Sequence, residues 1–177
     1  FADNSGTMLL PEAGNKYPDI LDETRVETDF FFSMQETSGD DKGMVHHKMH
    51  DFKWTALCVR PAEDPLERIV KPVTYAASLQ AAAAWAQSAR LWEPYDAAYA
   101  TKCLDAAKLA YSAAKAKYEA NGSKYNSSDE YFAPIEDGKG GGAYGDNYVD
   151  DDFYWAACEL YLSTGDESYY KDLSGYK

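Results

Sequence analysis

Basic charge is scarce in this 177-residue chain: 17 Lys and Arg stand against 30 Asp and Glu, a formal charge of −13. Such a surface repels phosphate backbones and anionic headgroups within a Debye length, which argues against nucleic acid and membrane partners. Long apolar runs are missing too, and no stretch approaches the ~20 residues of a spanning helix. No basic-then-apolar leader opens the sequence, and residues 1–10 read as the interior of a longer polypeptide. The three cysteines, Cys58, Cys103 and Cys158, are far apart, odd in number and without CxxC spacing, so neither a disulfide framework nor a zinc ribbon is indicated.

What is present is enough for a core. Hydrophobic residues make up 45% and aromatics 15%, with 15 tyrosines beside four tryptophans. Disorder of the whole chain is excluded on that composition. Tyrosine and tryptophan offer flat apolar faces with a polar tip, suited to stacking on sugar rings but equally to half-buried helix surfaces. The acidity is compatible with a neutral polysaccharide and with hard cations such as calcium.

Pro18-Asp19 supplies a proline and an acid for a first helical turn, and Ile20, Val26, Phe30, Phe31 and Met34 continue at largely helical spacing, with Asp22, Glu23, Arg25 and Glu27 opposite. The stretch from Gly43 to Pro72, which holds His46, His47, His50 and Trp54, reads as an irregular excursion with room only for short strands. Long connections of that kind tend to be functional. Val73 to Trp92 is alanine-rich without Gly or Pro and predicts a helix; Pro94 breaks it, and Asp96 to Glu119 predicts its antiparallel partner. Asn121 to Gly145 is a loop by composition, with two Asn-X-Ser sequons at Asn121 and Asn126 and a glycine run from 138 to 145. No Lys-Ser/Thr follows those glycines, so they are not a phosphate cradle. Asp150-Asp151-Asp152 opens a helix over Phe153 to Ser163, ended by Gly165, and a short helix is expected from Ser168 to Leu173. Paired helices without alternating strand patterns define an all-α chain.

Five blocks, in order, carry a family resemblance. Pro11-Glu12-Ala13-Gly14-Asn15 with Pro18-Asp19-Ile20-Leu21-Asp22-Glu23 resembles PESGN…PDILDE of family 9 glycoside hydrolases, and Phe31 to Gln35 is similar to LLKMQ. Gly43 to Lys48 resembles GGVYHKV, Val73 to Arg90 the alanine-rich helix that follows, and Tyr144-Gly145-Asp146 through Asp151 to Tyr161 resembles YGDSDVSDEFFWAAAELY. The resemblance implies residues 1–177 as part of a single catalytic domain, an all-α (α/α)6 barrel of which this is a partial one. It implies a secreted, extracellular cellulase of endoglucanase type, cleaving β-1,4 bonds of cellulose or another β-glucan chain with inversion. Two carboxyls ~6.5–9.5 Å apart perform that reaction. The family's DAGD base and C-terminal glutamate find no match here, so the sequence assigns no catalytic residue and the remaining part of the barrel is an expected partner. An isolated half-barrel should expose apolar helix faces.

By the same resemblance His47 is a sugar-binding residue, and Tyr144 stands where relatives offer an aromatic to substrate. Trp54, in the irregular stretch, is the tryptophan expected to face substrate, whereas Trp85, Trp92 and Trp155 on alanine-rich helices are expected to pack. Asp151 and Asp152 resemble a Ca2+-coordinating pair, with carbonyls of Asn147 and Tyr148; the plain alternative is that three aspartates charge a helix N-terminus favourably. No zinc is expected, because Glu36, Asp51 and Phe52 occupy the positions where zinc-bearing relatives have cysteines and a histidine. A chance metal cluster of His46, His47 and His50 is a further alternative. Two rival readings stay open: a noncatalytic carbohydrate-binding or scaffold protein on the same barrel, and a calcium-stabilised toroid of a different hydrolase or lyase family.

Overall fold

The computed structural model describes residues 6, 8–125 and 148–176. Five helices carry it: α1 (Asp19–Met34), α2 (Tyr75–Trp92), α3 (Ala97–Ala120), α4 (Asp150–Thr164) and α5 (Glu167–Leu173). Four short strands lie between α1 and α2: β1 (Val45–His46), β2 (Met49–Asp51), β3 (Arg68–Val70) and β4 (Val73–Thr74).

Local chemistry sets the helix ends. Asp19 is fully buried at the start of α1, and its carboxylate accepts from the Gly6 and Met8 amides at 2.8 and 2.7 Å, which ties the upstream segment to the helix. The Thr74 hydroxyl caps α2 by accepting from Ala77 N at 3.1 Å. Because Val73–Thr74 is paired with β1, α2 starts at Tyr75 rather than at Val73. Asp96 caps α3 through Tyr99 N, and Gly165 ends α4 at φ 67, its amide returning to Tyr161 O at 2.8 Å. A left-handed φ is cheap for glycine, which lacks a Cβ, and that is why the sequence signal for this end was reliable.

The alanine-rich α2 is the central stave. Its Ala81, Ala82, Ala83, Ala86 and Ala89 are buried, and their small side chains let α3 fold back along one side while α4 packs on the other. The larger pieces fill what alanine leaves. Trp85 stacks on Phe32 of α1 with centroids 5.1 Å apart, and Trp92 meets Tyr17 and Tyr99 edge-on at 5.0 and 5.2 Å. Aromatic contacts of this kind add about 0.5–1.5 kcal/mol each beyond area burial. Polar clamps lock the staves together. Arg90 of α2 donates to Glu159 O (2.9 Å), Ser163 Oγ (2.7 Å) and the Glu159 carboxylate of α4, and on the other side Asp172 of α5 takes Tyr111 and Lys115 of α3.

One expectation is corrected and another is made specific. On α1 the buried positions are Asp19, Leu21, Asp22, Thr28 and Met34, whereas Val26 and Phe30 are 63% and 44% exposed. Val26 and Phe30 sit four residues apart, a separate apolar stripe that no described element covers. The excursion from Gly43 to Pro72 is also more ordered than its composition suggested. Val45↔Thr74, His46↔Val73, Met49↔Val70, His50↔Ile69 and Asp51↔Arg68 share one antiparallel register, so the four strands form a single interrupted ribbon. The interruption falls at Pro72, which has no N–H to give; His47 N still donates to Pro72 O at 3.0 Å and Lys71 N to Lys48 O at 2.8 Å.

Candidate substrate-binding rim

The ribbon places His47 beside the ends of α1 and α2. There it lines a cavity of about 250 Å³ together with Glu27, Phe30, Phe31 and Met34 of α1 and Gln80 of α2. A neighbouring cavity of about 320 Å³ shares Glu27, Phe31 and Gln80 and continues to Gln87 and Trp155. The two hollows follow Ala77, Gln80, Ala84 and Gln87, the stripe of α2 turned away from its packed faces. Apolar walls with a few convergent polar groups are the usual make-up of a ligand groove.

Gln80 joins this groove to the acidic turn. Its Nε2 donates to Asp152 Oδ1 at 3.1 Å, and Asp152 is only 6% exposed in the first turn of α4. Asp151, beside it, is exposed. The Tyr148 phenol is held above its ordinary pKa, by lost hydration first and then by the negative charges of Asp150 and Asp151. The carboxylates of Asp150, Asp151 and Asp152 follow one another there, and hard oxygen donors are what a cation such as Ca2+ favours. Near the histidines the Lys48 ammonium is shifted the other way, lowered by desolvation and then by repulsion from Lys71.

Of the residues singled out by sequence, His47 and the Asp152–Tyr148 turn thus come to one side of the molecule through Gln80. Trp54 is 73% exposed in the connection between β2 and β3. Tyr144 and Asn147 lie outside the described residues. Among the described residues no three His, Cys, Asp or Glu side chains converge as a metal cluster. The three histidines have different surroundings: His46 reaches Glu36 and the Lys71 carbonyl, His50 Nδ1 reaches its neighbour Asp51 O, and His47 lines the cavity. Trp155 corrects an expectation. Trp85 and Trp92 are buried at 0% and 1%, but Trp155 is 42% exposed and walls the second cavity, its indole N–H 3.4 Å from Glu159 Oε1. Gln80 was missed altogether. Its signal was a long polar side chain interrupting an alanine run, repeated seven residues on at Gln87.

A larger hollow of about 460 Å³ lies by α3 and α5. Its walls include Lys115 and Asp172, already engaged with each other, and none of the described candidate residues opens on it.

Helical staves in register about a central hairpin, with a ribbon and an acidic turn at one rim, define a partial (α/α)6 barrel. The sequence profile of glycosyl hydrolase family 9 matches residues 5–177, and the chain belongs to that family. It is 50% identical over 169 residues to a cellulose 1,4-beta-cellobiosidase of Acetivibrio thermocellus, covering 93% of this chain and 18% of that protein. Endoglucanase C of Cellulomonas fimi is 45% identical over 165 residues, 93% of this chain and 14% of that one. In three dimensions a metagenome-derived glycoside hydrolase family 9 endoglucanase superposes with a TM-score of 0.79 at 37% identity, over 99% of this chain and 29% of that chain. The chain therefore spans less than a third of each of these relatives.

Proposed function

We propose that the protein carrying this chain hydrolyses β-1,4-glucosidic bonds of cellulose or a related β-glucan with inversion, as a secreted endoglucanase-type enzyme. The reading is supported by family membership, by relatives named for cellobiosidase and endoglucanase activities, and above all by the groove that begins at His47. Neither carboxylate of the inverting pair is assigned to an acid of this chain; both belong to the remaining part of the barrel. Exposed Val26, Tyr154 and Leu162 support that division, being apolar helix surface of the kind other staves cover.

In this reading the His47 imidazole hydrogen-bonds a sugar hydroxyl at the groove, while Trp54 and Tyr144 supply stacking faces. Asp151 and Asp152, with the carbonyls of Asn147 and Tyr148, would hold a Ca2+ ion; the donor set is all hard oxygen and three aspartates share the first turn of α4. Calcium would supply a structural cross-link and no chemical step. The experiment is reducing-sugar release from carboxymethylcellulose by the complete polypeptide and by His47→Ala. Loss of a hydrogen bond and partial stacking, about 1.5–3 kcal/mol, predicts a fall in kcat/KM of at least roughly tenfold. A polypeptide that releases no sugar from any β-glucan refutes the hydrolase reading; an unimpaired His47→Ala removes the histidine from it.

A further inference from the structure

His46 has a position that the catalytic reading does not use. Its Nδ1 lies 2.7 Å from the Lys71 carbonyl and its Nε2 2.9 Å from Glu36 Oε1. Glu36 directly follows the C-cap of α1, and Lys71 lies in the two-residue link between β3 and β4. A carbonyl can only accept, so Nδ1 carries a proton; Nε2 faces a carboxylate oxygen, so a second proton lies in that bond, whichever partner owns it. The ring thus links the end of α1 to Lys71, while the strand that carries it is tied to the end of α1 by Glu36 N to Met44 O and Gly43 N to Glu36 O, both 2.8 Å, by Gln35 Nε2 to Gly43 O at 3.0 Å and by the Gln35–Val45 bridge. It does so where the ribbon is weakest, since Pro72 leaves the ladder opposite His47 without one of its bonds.

We propose that His46 is a positioning residue for His47: a clasp between the end of α1 and the link that joins β3 to β4, which makes good the ladder bond missing at Pro72 and fixes where the His47 ring stands in the groove. The clasp rests on the reading of His47 as a sugar-binding residue for its consequence, though not for its geometry. Glu27, which lines the same cavity as both histidines, and Lys48 and Lys71, which repel each other, are the other charged groups around it. Among the described residues the acidic side chain in hydrogen-bonding contact with the His46 ring is Glu36.

Two measurements on the complete polypeptide test this. In imidazole 15N–1H correlation spectra, His46 is expected to show two slowly exchanging ring N–H signals, and Glu36→Ala is expected to lose the Nε2 signal while keeping the Nδ1 one. In kinetics on a soluble β-glucan, His46→Ala is expected to raise KM about fivefold or more with kcat within twofold. Glu36→Gln, which keeps an acceptor oxygen, should restore most of the wild-type KM, and Glu36→Ala should match His46→Ala. A single or rapidly exchanging ring N–H, an unchanged KM in His46→Ala, or equal defects in Glu36→Gln and Glu36→Ala would overturn the clasp. If the wild-type polypeptide proves inactive on every β-glucan, the hydrolase reading falls, and the spectra still decide the clasp.

Discussion

Replacement of Gly43 by alanine offers a sharp check on how the ribbon is seated. Gly43 has φ +94, and a Cβ built on it would stand 2.9 Å from Leu109 Cγ, 3.0 Å from the Leu109 carbonyl oxygen and 3.0 Å from Ala113 Cβ. The positive φ alone costs about 1–2 kcal/mol for an alanine. Overpacking against α3 adds about 1–3 kcal/mol, because the carbonyl of a helix cannot withdraw as the tip of a side chain can. Gly165→Ala is the control: its φ is +67 and nothing lies within 4 Å of the added Cβ, so only the backbone term of about 1–2 kcal/mol applies. Urea unfolding followed by tryptophan fluorescence should therefore place Gly43→Ala roughly 1–3 kcal/mol below Gly165→Ala. Adding Leu109→Ala to Gly43→Ala should recover part of that gap and never all, since Leu109 O and Ala113 Cβ remain. Gly43 O also accepts from Gln35 Nε2 at 3.0 Å, so the shift should propagate to the strand that carries His47. Equal stability of the two glycine variants would refute the close approach of this turn to α3.

The other predictions concern clamps, thiols and calcium. Arg90→Met breaks a largely buried pair with Glu159 and should destabilise by about 3–5 kcal/mol, while the Arg90→Met/Glu159→Gln double variant should lose clearly less than the sum of the singles in a double-mutant cycle. The Cys103 thiol, pushed up to about 12 mainly by burial, should resist a disulfide reagent at pH 8 that labels the exposed Cys58 at once. Because its folded value lies above the unfolded one, that thiol's contribution to stability is complete below about pH 8.5 and is lost as pH rises toward 12; a denaturation series at high pH checks the sign. Chelation of calcium should lower the Tm of the complete polypeptide, and re-addition of Ca2+, not Mg2+, should restore it, by about 2.7 kcal/mol at a hundredfold excess over Kd. An unchanged Tm would leave Asp151 and Asp152 as helix-end charges only.

Much of the fold was legible because its signals are local. Proline and aspartate start α1, Asp96 opens α3, alanine runs favour helix, and Gly165 takes the left-handed turn. Trp85 and Trp92 were legible as core because they stand at core-like spacing on an alanine-rich helix. The ribbon was hidden because strands of two or three residues leave no alternating pattern, and because their shared register spans the sixteen-residue connection from Phe52 to Glu67 that composition cannot bridge. The face of α1 was misread since Val26 and Phe30 are as apolar as core residues; what distinguishes them is only that no described neighbour lies over them.

From the sequence alone came the helix count, most of the helix ends, the ordered motif blocks of a glycoside hydrolase family and the choice of His47, all properties of neighbouring residues or of a linear pattern. Tertiary structure alone decided that Gln80 links the His47 groove to Asp152, that Trp155 walls a cavity instead of filling the core, and that His46 spans Glu36 and Lys71. Those facts depend on distances between residues from 10 to 72 positions apart, and such distances exist only once packing has brought the staves together.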